Sequence, residues 1–196
     1  MPAVLDVSKP TPLRLFGFLF TAVGGVSIAL GSLQTWATVG VSDDRAGVLD
    51  TAIPGIDRAE GKATLAMGVA ILVAQVALRI VGSHAARRIV ALLIVVCAAG
   101  SILIGALTLA DAHDRFDDAG TQRIVENISA DLRLPIDEAR RRFEQAGSGV
   151  IEITVGIGLW IVVGGGALGL VGGLLDLAWV GQQRLQNPGA EVDTAP

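Results

Sequence analysis

The chain has 196 residues, of which 52% are hydrophobic and 17% are charged, and its formal net charge is −4. Soluble domains carry about 25% charged residues, so this composition argues against an ordinary soluble globular protein. The net charge does little to exclude any class of protein, because the charged residues are concentrated in some segments and absent from others. A chain of this length has room for one membrane domain and no separate soluble domain.

The first segments are a short N-terminal tail, residues 1–14, and a long uncharged stretch, residues 15–35. A helix needs about 20 apolar residues to cross a hydrocarbon core of about 30 Å, so this stretch predicts a membrane span. A cleaved signal peptide is the alternative, with the cleavage site at Ala29-Leu30-Gly31. The apolar run continues past that site to Trp36, which favours a retained span.

The first long connection, residues 36–62, contains two β-prone runs. They extend from Trp36 to Val41 and from Val48 to Ile53, and charged turn residues separate them. Pro54-Gly55 would end the second run and lead the chain back towards the membrane. This pattern predicts a short β-hairpin outside the membrane.

Residues 63–83 and 89–110 are the second and third predicted spans. Arg79 lies near the end of the second span, and Arg87 and Arg88 lie in the short connection that follows. Short arginine-bearing connections stay on the cytoplasmic side, which predicts cytoplasmic N and C termini in the cell membrane. Arginines in the second long connection weaken this assignment, although the rule gives most weight to short loops.

The second long connection, residues 111–149, has a helical pattern. Ile124, Ile128 and Leu132 recur at the spacing of one helix face, and Pro135 suits the first position of a second helix. We expect two amphipathic helices that lie on the bundle or at the headgroups, with docking of a partner as the alternative. Acids outnumber the arginines in this connection, which argues against nucleic-acid binding.

Asp111 and Asp114 belong to an acidic cluster directly after the third span, and they are weak functional candidates. Crowded carboxylates could bind a divalent cation, but Arg115 occupies the position where an EF-hand loop requires its first acid. A solvated acidic helix exit is the plainer explanation. We therefore predict no metal and no cofactor.

The last predicted span covers residues 153–176, and residues 181–196 are predicted to form a disordered cytoplasmic tail. Glu152 is the best single functional candidate, because its carboxylate would lie where the span meets the outer connection. A side chain that simply reaches the headgroups is the plainer explanation. The run from Gly164 to Gly169 matches a dinucleotide-binding pattern, but that pattern requires a βαβ unit, which an uncharged span does not provide.

Small residues recur along all four spans. Membrane helices associate where small residues let their backbones approach closely, so these residues predict packing seams. The seam glycines are Gly17, Gly24 and Gly31 in the first span and Gly165, Gly169 and Gly173 in the last span. The seams would pack the four helices into one bundle or bind another subunit. The predicted fold is an all-α membrane protein, a four-helix transmembrane bundle with a short β-prone first outer loop and a helical second outer loop.

Three local features carry a resemblance in overall layout. They are Trp36 after the first span, the return formed by Pro54-Gly55 and Gly61, and the glycine-rich segment Gly156-Ile-Gly-Leu-Trp160. In this layout the chain resembles the uncharacterised four-span membrane proteins of GC-rich Gram-positive bacteria, a resemblance that covers most of the chain and implies no activity. The outline is also similar to that of claudins, although the tryptophan and cysteine signature of their first outer loop is missing.

No catalytic arrangement can be assembled from these residues, because His84 and His113 lie on opposite sides of the membrane in this topology. We therefore expect a protein that is not an enzyme. The first hypothesis is an accessory or scaffold subunit whose outer loops and glycine seams bind partners within the lipid bilayer, either another membrane protein or a second copy. The alternative is a small transporter or channel protomer that forms a pore by oligomerising, although few polar residues follow any one helix face.

Overall fold

The computed structural model describes residues 12–43, 47–145 and 150–186. Six helices and three strands follow one another in these ranges, with a 3-10 turn at Gly55–Asp57. In chain order they are α1 (Pro12–Leu33), β1 (Thr35–Asp43), β2 (Gly47–Pro54), α2 (Ala59–Ile80), α3 (His84–Ala110), α4 (Ala112–Leu132), α5 (Ile136–Gln145), β3 (Val150–Val155) and α6 (Ile157–Gln186).

Four of the helices, α1, α2, α3 and α6, are long and apolar enough to cross a membrane. Their outward faces expose branched apolar side chains such as Val73, Val96 and Leu103. This is the arrangement expected of helices surrounded by lipid, since acyl chains are as apolar as leucine. The predicted four-helix transmembrane bundle is confirmed.

Within the bundle, α1 and α3 each pack against both α2 and α6, so the four helices form a ring with α1 diagonally opposite α3. The connection between α2 and α3 is short because Val81 leaves the helical conformation and the Ser83 hydroxyl accepts a hydrogen bond from the Ala86 amide. Such a cap satisfies one of the unpaired amides at the start of a helix. It fixes where α3 begins.

A three-stranded antiparallel sheet stands at one end of the bundle. Its order is β2–β1–β3, and Val39 at its centre is opposite Thr51 on one side and Ile153 on the other. The β1–β2 pair is the predicted hairpin. The third strand comes from the other long connection, so the two connections that are far apart in sequence form one structure.

Helix α4 lies on this sheet and contacts all three strands, and α5 packs on α4. We call the sheet with α4 and α5 the cap, and the opposite end of the bundle the basal end. Gly120 lets α4 come close to the sheet, since an added Cβ would lie 2.7 Å from a Val39 methyl carbon. The core of the cap continues into α6. Its buried apolar residues are Trp36, Ala37, Val39, Ile53, Ala112, Phe116, Ile124, Leu159 and Val162.

The turn between α4 and α5 is closed by local hydrogen bonds. Arg133 has a left-handed backbone (φ 53°), and the Leu134 amide donates to the Ser129 carbonyl five residues earlier. This is the Schellman arrangement that commonly ends helices, here without the usual glycine. After it, the Pro135 carbonyl accepts hydrogen bonds from the Glu138 and Ala139 amides of α5, whose first turn carries Asp137 and Glu138 as its dipole favours.

Several element bounds differ from those expected from hydropathy. The last span was predicted to begin at residue 153, but residues 153–155 belong to β3 and α6 begins at Ile157. Pairing with β1 satisfies the backbone of that segment and explains the difference. At the other end, α6 continues to Gln186, into the predicted disordered tail, of which residues 187–196 lie outside the described residues.

Candidate functional site

The predicted seam glycines of α1 face α6. A Cβ added at Gly24 would lie 2.7 Å from the Gly165 carbonyl oxygen, and one added at Gly31 would lie 2.8 Å from the Gly158 carbonyl oxygen. Gly17 lies opposite Asp176, whose Oδ1 would be 2.7 Å from an added Cβ. The two helices are therefore antiparallel, and their backbones come into contact at Gly24 and Gly31.

The seam glycines of α6 contact two neighbouring helices, α1 and α3. Gly165 faces α1, where an added Cβ would lie 2.9 Å from the Ile28 amide nitrogen. Gly173 faces α3, where an added Cβ would lie 3.0 Å from the Ile94 methyl carbon Cγ2. Gly169 lies between, because its backbone meets Gly24 of α1 and an added Cβ there would lie 3.4 Å from Ala98 Cβ of α3. In this structure all six predicted seam glycines line contacts within one chain.

The three weak functional candidates lie at the cap. Asp111 is exposed and joins α3 to α4, and its amide donates to the Leu107 carbonyl. Asp114 is in the first turn of α4, and Glu152 is in β3 opposite Gly40. The side chains of Asp114 and Glu152 lie outside the described residues, so their chemistry stays a prediction.

A polar cluster that the sequence interpretation did not assemble lies at the basal end. Its centre is Asp176 of α6, which is only 3% exposed although it is an acid within a membrane-length helix. The Thr21 hydroxyl of α1 donates to Asp176 Oδ2 at 3.4 Å, and the Gln75 side chain of α2 hydrogen-bonds to the same carboxyl group. Three helices thus converge on one acid. Ionisable groups placed so are costly in a membrane and mark candidate functional sites.

Two arginines surround this cluster. Arg14 and Arg79 are exposed, and the charge of each acts on Asp176. The Arg79 guanidinium carbon lies 4.0 Å from the ring centre of Phe18, and that of Arg14 lies 5.0 Å from the ring of Trp179. Stacking on an aromatic face holds a guanidinium by cation–π attraction. Both charges are therefore fixed at the rim while their outer faces stay open.

A small cavity lies between these side chains, with a volume of about 20 Å³. That is room for one water-sized group. Gln75 is 4% exposed and lines the cavity, and its Oε1 has no hydrogen-bond partner among the described residues. A buried amide oxygen without a donor is costly, so Gln75, which lines the cavity, carries an unsatisfied acceptor.

Elsewhere inside the bundle the polar groups pair locally. The hydroxyls of Ser32 and Thr64 lie 2.8 Å apart and join α1 to α2, and each is also within hydrogen-bonding distance of a carbonyl of its own helix. Ser101 and Thr108 of α3 donate to carbonyls four residues earlier. These contacts satisfy hydroxyls that would otherwise be unpaired in lipid.

Sequence reasoning noted Asp176 only as the end of the last span. The signal that could have identified it is its position: α6 continues for another ten residues to Gln186, so the acid lies well within the helix. The partners of Asp176 could not be identified from the sequence, because Thr21 and Gln75 are more than 90 residues away along the chain. Trp36 is fully buried in the cap, and its indole N–H donates to the Gly31 carbonyl at 2.9 Å.

Comparison with known proteins agrees with this architecture. A family model described as tryptophan-associated transmembrane protein matches residues 18–191, a range that includes the cap and nearly all of the four spanning helices. No curated protein matches the chain. Because the family model covers most of its length, the chain belongs to the tryptophan-associated transmembrane protein family.

Proposed function

We propose that this chain is an accessory or scaffold subunit of a membrane complex, with no catalytic activity of its own. The observation that carries the proposal is the attachment of the cap to the bundle. Trp36 follows α1 directly, and Leu159 and Val162 of α6 are buried in the cap core. A cap that shares its core with α6, and whose Trp36 donates to the Gly31 carbonyl of α1, is held rigidly above the membrane, as a docking platform must be.

The interior of the bundle supports the same proposal. The α1–α6 interface brings Gly24 against Gly165 with backbone contact, and the Ser32 and Thr64 hydroxyls are directed to each other. Conduction requires a row of polar groups along a pore. In the part of the chain that the structure describes, the interior is closed at these contacts, which favours a structural role for a single copy.

The cap also exposes apolar side chains away from its core. Leu132 and Ile136, which flank the α4–α5 turn, are 55% and 48% exposed. Arg133 and Arg140 are exposed beside them. Arginine is enriched at protein interfaces and their buried cores are apolar, so we assign partner docking to this turn.

The test is extraction of the chain from native membranes in mild detergent, followed by mass spectrometry of copurifying proteins. A larger membrane protein in stoichiometric amount would support the proposal and name the process. The family name associates the group with tryptophan, so partners that handle tryptophan or its precursors are the first to look for. A Leu132→Ser/Ile136→Ser variant should lose the partner, whereas Gln122→Ala, at an exposed position elsewhere on α4, should retain it.

The proposal includes an orientation with both termini cytoplasmic and the cap outside the cell membrane, and a source in GC-rich Gram-positive bacteria. In a Cys97→Ala background, a membrane-impermeant thiol reagent should label Gln122→Cys on the cap from outside and leave Ser83→Cys at the basal end unlabelled. Labelling of Ser83→Cys from outside would reverse the orientation.

A pore-forming oligomer is the second candidate, and the buried carboxyl group of Asp176 is the observation that favours it. Transporters and channels use such intramembrane acids. A chain that is extracted alone, or only with copies of itself, would support this candidate over the first. Reconstituted vesicles should then show an ion flux that Asp176→Asn reduces and Arg88→Gln leaves unchanged.

A further inference from the structure

The cavity at the basal end is not used by the proposed scaffold role. The residues that line it include Arg14, Arg79, Asp176 and Gln75, which together carry two guanidiniums, one carboxyl group and one unpaired amide oxygen. We propose that this cavity binds the headgroup of an anionic phospholipid that carries a hydroxyl, with its phosphate at the two arginines and the hydroxyl at Gln75.

The phosphate position follows from the two arginines. Arg14 begins the membrane-spanning part of α1 and Arg79 is in the last turn of α2, so both lie at the level where α1 enters and α2 leaves the bundle. Their guanidiniums are held against Trp179 and Phe18 with their outer faces exposed. The planar fork of a guanidinium matches phosphate oxygens, and stacking removes part of the entropic cost of fixing it.

The Gln75 side of the cavity favours a ligand group that donates a hydrogen bond. Gln75 Oε1 is buried without a donor among the described residues, and the Asp176 carboxylate is an acceptor beside it. A cavity of about 20 Å³ admits one water-sized group, which a headgroup hydroxyl is. The hydroxyl would give the amide oxygen the partner that it lacks.

The net charge of the cavity determines which class of lipid headgroup is preferred. Among the residues that line the cavity, the two arginines and an ionised Asp176 leave one net positive charge. A phosphodiester with a neutral hydroxyl-bearing headgroup brings one negative charge and balances it. A zwitterionic headgroup leaves the positive charge uncompensated, so we expect anionic lipid to be preferred.

The location indicates a lipid rather than a soluble anion. Apolar side chains that face lipid, such as Phe16 and Leu15, follow Arg14 directly and are about half exposed. A ligand whose acyl chains lie along this face would gain contacts that a soluble phosphate lacks. Basic pockets between spanning helices are known to hold lipid headgroups in this way.

The first experiment uses the full chain with its native sequence. Native mass spectrometry from a neutral detergent would be titrated with phosphatidylglycerol, phosphatidylmethanol and phosphatidylcholine. We expect one saturable phosphatidylglycerol, bound about 5-fold more tightly than phosphatidylmethanol, which has the same charge but no hydroxyl. Phosphatidylcholine should bind about 25-fold more weakly than phosphatidylglycerol, at roughly 5-fold for the missing hydroxyl and 5-fold for the one charge that it leaves uncompensated.

The second experiment uses variants with a matched control. Arg14→Gln/Arg79→Gln should reduce phosphatidylglycerol affinity about 25-fold. Arg88→Gln removes the same type of charge from the first turns of α3, away from the cavity, and should leave affinity unchanged. Gln75→Leu should abolish only the preference for phosphatidylglycerol over phosphatidylmethanol. Circular dichroism would verify that each variant is folded.

Three results would overturn the inference. Equal affinity for phosphatidylglycerol and phosphatidylcholine in the native sequence would exclude an anion site, and needs no variant. Equal losses in the arginine pair and in Arg88→Gln would indicate only general attraction to negative charge. Displacement of the bound lipid by soluble glycerol phosphate at similar concentration would identify a soluble anion as the ligand.

Discussion

Substitution of Gly24 by alanine tests the packing of α1 on α6 most directly. A Cβ at this position would lie 2.7 Å from both the Gly165 carbonyl oxygen and Gly169 Cα, and it would also meet the Gly169 amide nitrogen. All three are backbone atoms, so no flexible side chain can move aside. The two helices would have to separate until these contacts reach at least 3.4 Å, the lower limit of ordinary van der Waals contact.

The matched control is Gly164→Ala, one residue before the α6 seam. Gly164 is also helical, but it is exposed and a Cβ there would meet no atom within 4 Å. Both substitutions gain the same helix propensity, about 1 kcal/mol at most. Their difference therefore isolates the packing cost, which overpacking of a close contact places at about 1–3 kcal/mol.

The assay is unfolding of the purified chain in mixed micelles with rising dodecyl sulfate, followed by far-ultraviolet circular dichroism. We expect Gly164→Ala to unfold at or above the midpoint of the native sequence and Gly24→Ala to unfold clearly below it. A difference of 1.4 kcal/mol corresponds to a tenfold change in the unfolding equilibrium. Equal midpoints for the two variants would refute the backbone contact between α1 and α6.

Three further predictions concern the cap and the bundle. Trp36→Ala should cost about 3–5 kcal/mol because the indole is fully buried, and limited proteolysis should then cleave within the cap. A double-mutant cycle of Ser32→Ala and Thr64→Val should give a coupling free energy of about 0.6 kcal/mol, the average for hydrogen bonds between membrane helices, and zero coupling would contradict the contact. Arg123→Ala removes a half-exposed ion pair with Asp57, so the free energy of unfolding should fall by less than about 1 kcal/mol and the thermal midpoint should change little.

The spans could be predicted because their signal is local. Hydropathy over about 20 residues reports lipid exposure directly, and α3 was identified from residue 89 to its observed last residue, Ala110. The β1–β2 hairpin has the same kind of local signal in its β-prone runs and turn residues. Each of these elements depends on residues that are neighbours in sequence.

Strand β3 was missed because its composition is ambiguous. Val150 to Val155 is rich in β-branched residues, but it runs without interruption into the apolar helix α6, so hydropathy assigns both to one span. The boundary is Gly156, whose amide donates to the Trp36 carbonyl at 2.7 Å. Only the position of β1 in space reveals that this segment pairs rather than inserts.

The basal cavity was missed for a different reason. Asp176, Gln75 and Thr21 are unremarkable singly, and each has a plainer explanation as a helix-end or helix-packing residue. They form one cluster only because of the ring order of the bundle, which brings α1, α2 and α6 together at that end. Hydrophobic periodicity identifies which face of a helix is buried, but it does not identify the neighbour.

The strand order of the cap has a consequence for biosynthesis. The central strand, β1, is complete early, but its second neighbour ends about 100 residues after β2 does. At about 5–20 residues per second, the ribosome needs roughly 5–20 s to supply it. During that interval one edge of the hairpin is unpaired, and exposed strand edges promote aggregation. Protection of this edge in a newly inserted chain would therefore depend on completion of α4 and β3. Slow translation of that stretch would lengthen the period in which the chain can aggregate.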